Sequence, residues 1–146
     1  MSFDRIVQIG IVVKDIEKAR AIWSELLNTE QPPITETENW ESSHMMFRGR
    51  PSKGRAKLSF FKFENIVLEI IQPIDSPSTW QDFLEKFGEG VHHIAFRIEN
   101  LEETLENFSK IGIKVEQKGE FKGGSYVYTD SKSKLGTMIE LLHRHA

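Results

Sequence analysis

Four polar side chains stand inside segments that otherwise have the apolar, β-branched composition of buried strands. They are Gln8, Glu69, His93 and Glu140. A carboxylate in a buried strand costs free energy unless it is paired or coordinates a cation. One imidazole nitrogen and three oxygen donors together suit a divalent metal ion that keeps open positions for water. The residue types therefore indicate metal coordination as the chemistry of this group.

Each of these residues, taken singly, also has an ordinary structural explanation. His93 could be a core histidine with satisfied hydrogen bonds, and Gln8 could bond to the backbone. Glu69 and Glu140 could lie on exposed strand faces, because side chains alternate between the two faces of a strand. A purely structural polar cluster therefore remains an alternative to a metal site.

An internal repeat places the four residues at related positions in two halves of the chain. The segment from Gln8 to Glu17 aligns with the segment from His93 to Glu102, and the strand around Glu69 aligns with the strand around Glu140. Each half thus has one polar residue in its first strand and one carboxylate in its last. We expect all four side chains to meet where the halves join, with chance similarity between two amphipathic βα units as the alternative.

Hydrophobic periodicity predicts the elements that must position these side chains. Asp15 is the expected N-cap of an amphipathic helix that ends near Asn28, and Asn100 is the expected N-cap of its counterpart. The predicted strands cover residues 5–13, 57–63, 66–72, 91–98, 113–117, 125–129 and 137–142, and the predicted helices cover 16–28, 79–87 and 101–111. The sequence is therefore interpreted as one compact α+β domain of two βαβββ modules. Residues 1–75 form the first module, and residues 76–146 form a linker helix and the second module.

Composition and charge exclude several classes of function. The chain has 146 residues, no cysteine, and 19 basic against 22 acidic side chains, for a net charge of −3. Disulfides and thiolate metal sites are excluded, and the basic excess of a nucleic-acid-binding protein is missing. No apolar segment approaches 18 residues and no signal peptide precedes the first strand, so we expect no membrane partner and a cytoplasmic location. We expect Arg48–Lys57 to be a solvated hairpin loop and Pro73–Ser78 to be a linker.

The order of short motifs along the chain resembles that of a known superfamily. The motifs are Q-I-G-I-V-V-K-D from Gln8, L-E-I-I-Q-P from Leu68, H-H-I-A-F-R-I from His92 and G-T-M-I-E-L-L from Gly136. Together they resemble the vicinal oxygen chelate superfamily, which includes glyoxalase I, methylmalonyl-CoA epimerase and bleomycin resistance protein. The resemblance implies a glyoxalase-like fold, in which two βαβββ modules form a curved mixed sheet around a metal cup.

The resemblance also implies a ligand set and a reaction. It places the metal ligands at Gln8, Glu69, His93 and Glu140, a set similar to that of one branch of glyoxalase I. Zinc is the favoured ion, and nickel, cobalt, manganese or magnesium are alternatives. The implied enzyme is a lactoylglutathione lyase-like lyase or isomerase that abstracts a proton next to a carbonyl, through a metal-stabilised enediolate. Glu140 is the implied base and Glu69 its partner, acting on a small 2-oxo adduct or thioester, and the chain is expected to form a homodimer.

Departures from the family pattern leave the substrate open. Glutathione-using relatives have an arginine four residues after the first ligand, where this chain has Val12. Arg97, at the related position of the second half, could bind an anionic substrate instead. The alternative role for Arg97 is an ordinary salt bridge. Tyr128 is a further candidate for substrate binding. An acyl-CoA epimerase of the methylmalonyl-CoA type is an alternative function, and its second base would have to be His92, Tyr126 or Tyr128. A metal-free small-molecule binding or resistance protein is an alternative from another class.

Overall fold

A computed structural model describes residues 3–145 of the chain. Its strands are β1 (Ile6–Val12), β2 (Ile34–Glu36), β3 (Met46–Phe47), β4 (Arg50–Pro51), β5 (Arg55–Lys62), β6 (Val67–Asp75), β7 (Gly90–Arg97), β8 (Val115–Phe121), β9 (Gly124–Thr129) and β10 (Met138–Arg144). Its helices are α1 (Ile16–Leu27), α2 (Trp40–Ser43), α3 (Thr79–Phe87), α4 (Leu101–Lys110) and α5 (Lys132–Leu135). None of the helices between residues 3 and 145 is both long and apolar enough to cross a lipid bilayer.

All ten of these strands belong to one curled mixed sheet, in the order β2-β5-β6-β1-β7-β10-β9-β8-β3-β4. At its centre β1 runs antiparallel to β7, while β1 pairs in parallel with β6 and β7 pairs in parallel with β10. The predicted α+β class with a curved mixed sheet is thereby confirmed. Four adjacent strands, β6, β1, β7 and β10, contain the four polar residues Glu69, Gln8, His93 and Glu140.

Local signals in the sequence explain why each half begins with a strand followed by a helix. The carboxylate of Asp15 accepts a hydrogen bond from the backbone N–H of Lys18 at 3.1 Å, and the side chain of Asn100 accepts one from Glu103 at 3.0 Å. Each cap satisfies a backbone donor that the first helical turn leaves free, so both predicted N-caps are confirmed. The residue boundaries of the two modules, 1–75 and 76–146, stay a prediction.

Three apolar cores surround the sheet, and one of them closes an end of the cup. Helices α1 and α4 pack on the convex face over separate clusters. The third cluster joins Trp80 and Phe83 of α3 to Val12, Ile71 and Met138 on the concave face. Helix α3 therefore covers one end of the concave face, next to the starts of β7 and β10.

The predicted linker at Pro73–Ser78 is wrong for its first half. Strand β6 continues to Asp75 and pairs with the start of β5, where Arg55 lies opposite Asp75. An ion pair of 2.8 Å between the guanidinium of Arg55 and the carboxylate of Asp75 holds this extension. Cross-strand pairing outside the periodic apolar segment therefore lengthens the strand beyond what hydrophobicity predicts.

The predicted solvated hairpin loop at Arg48–Lys57 is right for its first part and wrong for its end. Residues 48–51 form the exposed turn and second strand of a hairpin between β3 and β4, whereas Arg55 to Lys57 already belong to β5. Residues 37–54 leave the edge strand β2 and cross to the other half, where β3 pairs with β8. The guanidinium of Arg48 there binds the carboxylates of Glu116 at 2.8 Å and Asp82 at 3.1 Å. The pairing of β3 with β8 and the two ion pairs of Arg48 make residues 37–54 a connection between the two ends of the sheet.

Candidate metal centre and active site

The four predicted ligands converge on Nε2 of His93. This atom lies 3.0 Å from Oε1 of Gln8, 3.1 Å from Oε1 of Glu140 and 3.5 Å from Oε1 of Glu69. The ligand atoms of the histidine and the two glutamates all lie within 4.8 Å of one another. All four side chains come from a single chain, so a second subunit is not needed to assemble the group.

Strand register explains why side chains that are so distant in sequence meet. Glu69 and His93 both lie opposite Gly10, on either side of β1. Gln8 and Glu140 both lie opposite Ala95, on either side of β7. Alternation along each strand directs all four to the concave face.

Small residues at these two positions give the ligands the room they need. A Cβ built at Gly10 would overlap with the imidazole ring of His93. Ala95 occupies the corresponding position of the second half and is fully buried. In the sequence, the repeat aligns Gly10 with Ala95, each two residues after a ligand, and this spacing is the one signal that points to them. Any larger side chain here would compete with the ligands for space.

Burial makes the two carboxylates unusual. Glu69 is 6% exposed and Glu140 is 4% exposed, and Oε1 of each has no hydrogen-bond partner among the described residues. Burial raises the pKa of Glu140 to about 8, against a smaller lowering by the hydroxyl of Tyr128. Burial and the neighbouring charge of Glu140 raise the pKa of Glu69 well above its usual range. The folded state is therefore destabilised whenever both carboxylates are ionised and no cation is bound.

A divalent cation fits this donor set. Burial lowers the pKa of His93 to about 3, so its imidazole is neutral and Nε2 can offer a lone pair. The unpartnered oxygens of Glu69 and Glu140 face the same point, where a positive charge would offset both desolvated carboxylates. One nitrogen and three oxygens are the donors expected for zinc, nickel, cobalt or manganese, whereas magnesium prefers oxygen alone.

A cavity of about 480 Å³ is lined by three of the four residues, while His93 is fully buried. Its walls include Leu58, Phe60, Trp80, Tyr126 and Tyr128, in addition to Gln8, Glu69 and Glu140. This size and largely apolar lining are typical of small-molecule sites.

Tyr128 lies against the carboxylate pair rather than at the mouth of the cavity. It is 2% exposed, lies directly opposite Glu140 across β9 and β10, and its hydroxyl accepts a hydrogen bond of 3.1 Å from the indole N–H of Trp80. Trp80 therefore fixes the orientation of this hydroxyl, a role for which the sequence offers no signal beyond an aromatic residue in a short helix. The position fits the predicted role of Tyr128 in substrate binding, which stays a prediction.

Arg97 lies on the cavity wall, four residues beyond His93 on the same strand face. Its side chain is exposed, and no carboxylate within residues 3–145 forms an ion pair with it. Within the described residues, Arg97 therefore does not form the salt bridge that was the alternative to substrate binding. Arg144, four residues beyond Glu140, lines the same cavity, and the repeat could have identified it by this spacing. Val12, by contrast, is fully buried against α3, where an arginine would have no solvent or anion to face.

Comparison with known proteins identifies the family. Residues 7–129 match the model of the Glyoxalase/Bleomycin resistance protein/Dioxygenase superfamily. Among curated proteins, the uncharacterized protein YqjC of Bacillus subtilis (strain 168) is 29% identical over 106 residues, which are 73% of this chain and 66% of that protein. The chain thus aligns with slightly less than two thirds of that relative's length.

Solved structures share the fold at low sequence identity. A hypothetical protein from Bacillus halodurans C-125 superposes with a TM-score of 0.69 at 18% identity, over 97% of this chain and 95% of that one. Methylmalonyl-CoA epimerase from Mycobacterium tuberculosis gives 0.64 at 18% identity, over 100% and 94%. A Streptomyces coelicolor methylmalonyl-CoA epimerase in complex with 2-nitronate-propionyl-CoA gives 0.67 at 20% identity, over 99% and 97%. With a family match over most of its length and this fold, the chain belongs to the Glyoxalase/Bleomycin resistance protein/Dioxygenase superfamily.

Proposed function

We propose that this protein is a divalent-metal-dependent lyase or isomerase of the glyoxalase type, which moves a proton at a carbon next to a carbonyl. One observation carries the proposal: two buried, unpartnered carboxylates and a neutral histidine face one point at the floor of a cavity. A protein that only binds an apolar molecule has no use for such a costly group. Perturbed carboxylates in a cleft are, conversely, what proton transfer near neutral pH requires.

The proposed ligands are Gln8, Glu69, His93 and Glu140, with zinc as the favoured ion. When bound, a divalent cation supplies positive charge beside the substrate's oxygens as negative charge develops on them. Glu140 is the proposed base, since its raised pKa brings the carboxyl group close to the range in which it can both take and return a proton. Tyr128 faces Glu140 across the sheet and is proposed to bind the substrate beside it.

The direct test is the metal content of the protein. Elemental analysis of the untagged chain is expected to find roughly one divalent ion per chain, which dialysis against a chelator removes and zinc restores. The metal-loaded protein is then assayed with the hemithioacetal of methylglyoxal and glutathione. No metal as purified, and none taken up from zinc, nickel, cobalt or manganese, would instead support the metal-free binding protein.

Acyl-CoA epimerisation is a second candidate, and the pair of carboxylates favours it. Glu69 and Glu140 approach the same point from different strands, β6 and β10, so one could remove a proton and the other return it to the opposite face. The three candidates predicted for the second base are less suited than Glu69. His92 is enclosed and bonded to Thr79, the hydroxyls of Tyr126 and Tyr128 accept hydrogen bonds from Gln117 and Trp80, and burial raises the pKa of both tyrosines. Methylmalonyl-CoA in deuterated water, with deuterium incorporation as the readout, distinguishes this reaction from isomerisation.

Arg97 is proposed to bind an anionic group of the substrate at the open end of the cavity. Arg97→Gln is expected to raise KM roughly tenfold with little change in kcat, because it removes a charge-assisted hydrogen bond distant from the reacting carbon. Steady-state kinetics with the hemithioacetal of glutathione, which has two carboxylates, measures this. Arg50→Gln, an exposed arginine on β4, is the matched control. A loss confined to kcat would contradict the role of Arg97 in substrate binding.

Pairing of two copies into a homodimer stays a prediction. Light scattering of the purified chain would test it. The metal site itself does not depend on the outcome, because one chain contains all four proposed ligands.

A further inference from the structure

His92 is fully enclosed beside the proposed metal ligand, and the proposed reaction gives it no role. It is 1% exposed, and its Nδ1 lies 2.9 Å from Nδ1 of His93. Its other nitrogen, Nε2, lies 3.2 Å from the hydroxyl of Thr79, a residue that is 3% exposed. That hydroxyl in turn donates to Sδ of Met138 at 3.5 Å. These contacts form a continuous line of hydrogen bonds from the proposed metal ligand His93 to the start of α3.

A β-bulge explains how two consecutive strand residues come to face each other. The register between β1 and β7 shifts from Gly10 opposite His93 to Ile11 opposite Val91, which leaves His92 without a partner on β1. A bulge of this kind redirects a side chain that regular alternation would place on the other face. The bulge, the burial and the short distance between the two Nδ1 atoms are separate observations that agree.

Hydrogen-bond chemistry determines the direction of this line once His93 acts as a ligand through Nε2. The proton of a neutral imidazole then has to be on Nδ1, and the nearest acceptor for it is Nδ1 of His92. His92 must consequently hold its own proton on Nε2 and donate it to Thr79, whose hydroxyl donates onward to Met138. Every member of the line has a partner for its donor, with no buried donor left over.

We propose that His92 is a positioning residue, which accepts the Nδ1 proton of His93 and, together with Thr79, holds His93 in the tautomer and orientation that binds a metal. This inference rests on the metal site of the proposed function. Metal-binding histidines generally donate their second N–H to a carboxylate, a carbonyl or water. In this chain a second neutral histidine takes that place, with a hydroxyl group behind it.

The first part of the test is a direct observation of the tautomers. Long-range proton–nitrogen NMR of the zinc-loaded, ¹⁵N-histidine-labelled chain is expected to find His93 protonated on Nδ1 and His92 protonated on Nε2. A proton on Nδ1 of His92, or a positively charged His92, would overturn the inference. A parent chain that binds no zinc would overturn the proposed function as well.

The second part compares zinc affinity between matched variants, by competition with a chelating dye. His92→Leu removes the acceptor and is expected to weaken zinc binding about 10–100-fold. His92→Asn can place its amide oxygen near the position of Nδ1 and is expected to recover much of that loss. Equal losses in both variants, with zinc binding by the parent intact, would overturn the role of His92 alone.

Thr79 offers a pair of variants that stays informative if His92→Leu does not fold. Thr79→Val removes the hydroxyl at nearly constant shape, whereas Thr79→Ser keeps it. The backbone N–H of Thr79 donates to Oε1 of Gln117 at 2.8 Å and is unaffected by either change. Zinc binding is expected to weaken in the valine variant and to stay near the parent value in the serine variant, and equal affinities would contradict the line of hydrogen bonds.

Discussion

Glu140→Gln is expected to lower kcat by about 10²–10⁴-fold, the usual contribution of a positioned general base. Glutamine matches the shape of the carboxyl group but cannot accept the substrate's proton, so the chain should fold as before. The measurement is steady-state turnover of the hemithioacetal of methylglyoxal and glutathione, or deuterium incorporation into methylmalonyl-CoA, whichever probe the parent converts. Metal content is determined for every variant, because a lost ligand would also lower the rate.

Two further variants serve as a control and a comparison for Glu140→Gln. Glu106→Gln changes an exposed glutamate on α4, far from the cavity, and is expected to leave turnover unchanged. Glu69→Gln tests the related carboxylate of the first half, and a larger loss there than at Glu140 would exchange the roles of the two residues. Undiminished turnover by metal-loaded Glu140→Gln would eliminate Glu140 as the base.

The metal-free protein is expected to lose stability as the pH rises from about 6.5 to 8. The pKa of Glu140 is about 8 in the folded chain, but about 4.3 in an unfolded one. Between these values the folded state holds a proton that the unfolded state has released, so the free energy of unfolding falls with rising pH. The raised pKa of Glu69 acts in the same direction. The contribution of Glu140 is on the order of a few kcal/mol and levels off above its folded-state pKa.

The buried histidines have the opposite effect on stability at acid pH. Burial lowers the pKa of His92 and His93, so below about pH 6.5 the unfolded chain binds protons that the folded chain does not. Their contribution therefore reduces stability toward acid pH and opposes that of the carboxylates. One pH unit above that value, at about pH 7.5, the histidines of the unfolded chain are roughly nine-tenths neutral, and the carboxylates then dominate the slope.

Urea unfolding in the presence of a chelator, at a series of pH values, measures the slope. Metal-free Glu140→Gln is expected to be more stable than the metal-free parent at pH 8, because Glu69 is then the single carboxylate of the buried pair that can ionise, and no second charge opposes it. Zinc should stabilise the parent most at the higher pH, since its ligands must be deprotonated. A parent whose stability is flat across the window, and equal to that of Glu140→Gln, would contradict the shifted pKa of Glu140.

Glu140 is thus expected to support turnover and, in the absence of a metal ion, to destabilise the folded state. The same substitution is expected to remove turnover and to stabilise the metal-free fold. Such an exchange is common where buried polar groups are retained for chemistry. In the described residues, the unpartnered oxygens of Glu69 and Glu140 are the structural signature of it.

The sequence by itself determined the longer strands and helices and the identity of the converging residues, but not the short elements β2, β3, β4, α2 and α5. Periodicity and N-cap residues located α1 and α4, because these signals act within a few residues of chain. A polar residue in an apolar strand has a large energetic cost, so Gln8, Glu69 and His93 stood out without any knowledge of their neighbours. The repeat then indicated that such residues from both halves share one site.

Only the tertiary structure decided which groups surround these residues. The bulge that turns His92 toward His93 depends on the register between two strands that are far apart in sequence. The crossing of residues 37–54 to β8 and the ion pairs of Arg48 depend likewise on contacts between the two halves. The pKa of Glu140 is determined by burial, which no spacing along the chain reveals. Local propensity acts over a few residues, whereas burial and electrostatics are properties of the assembled fold.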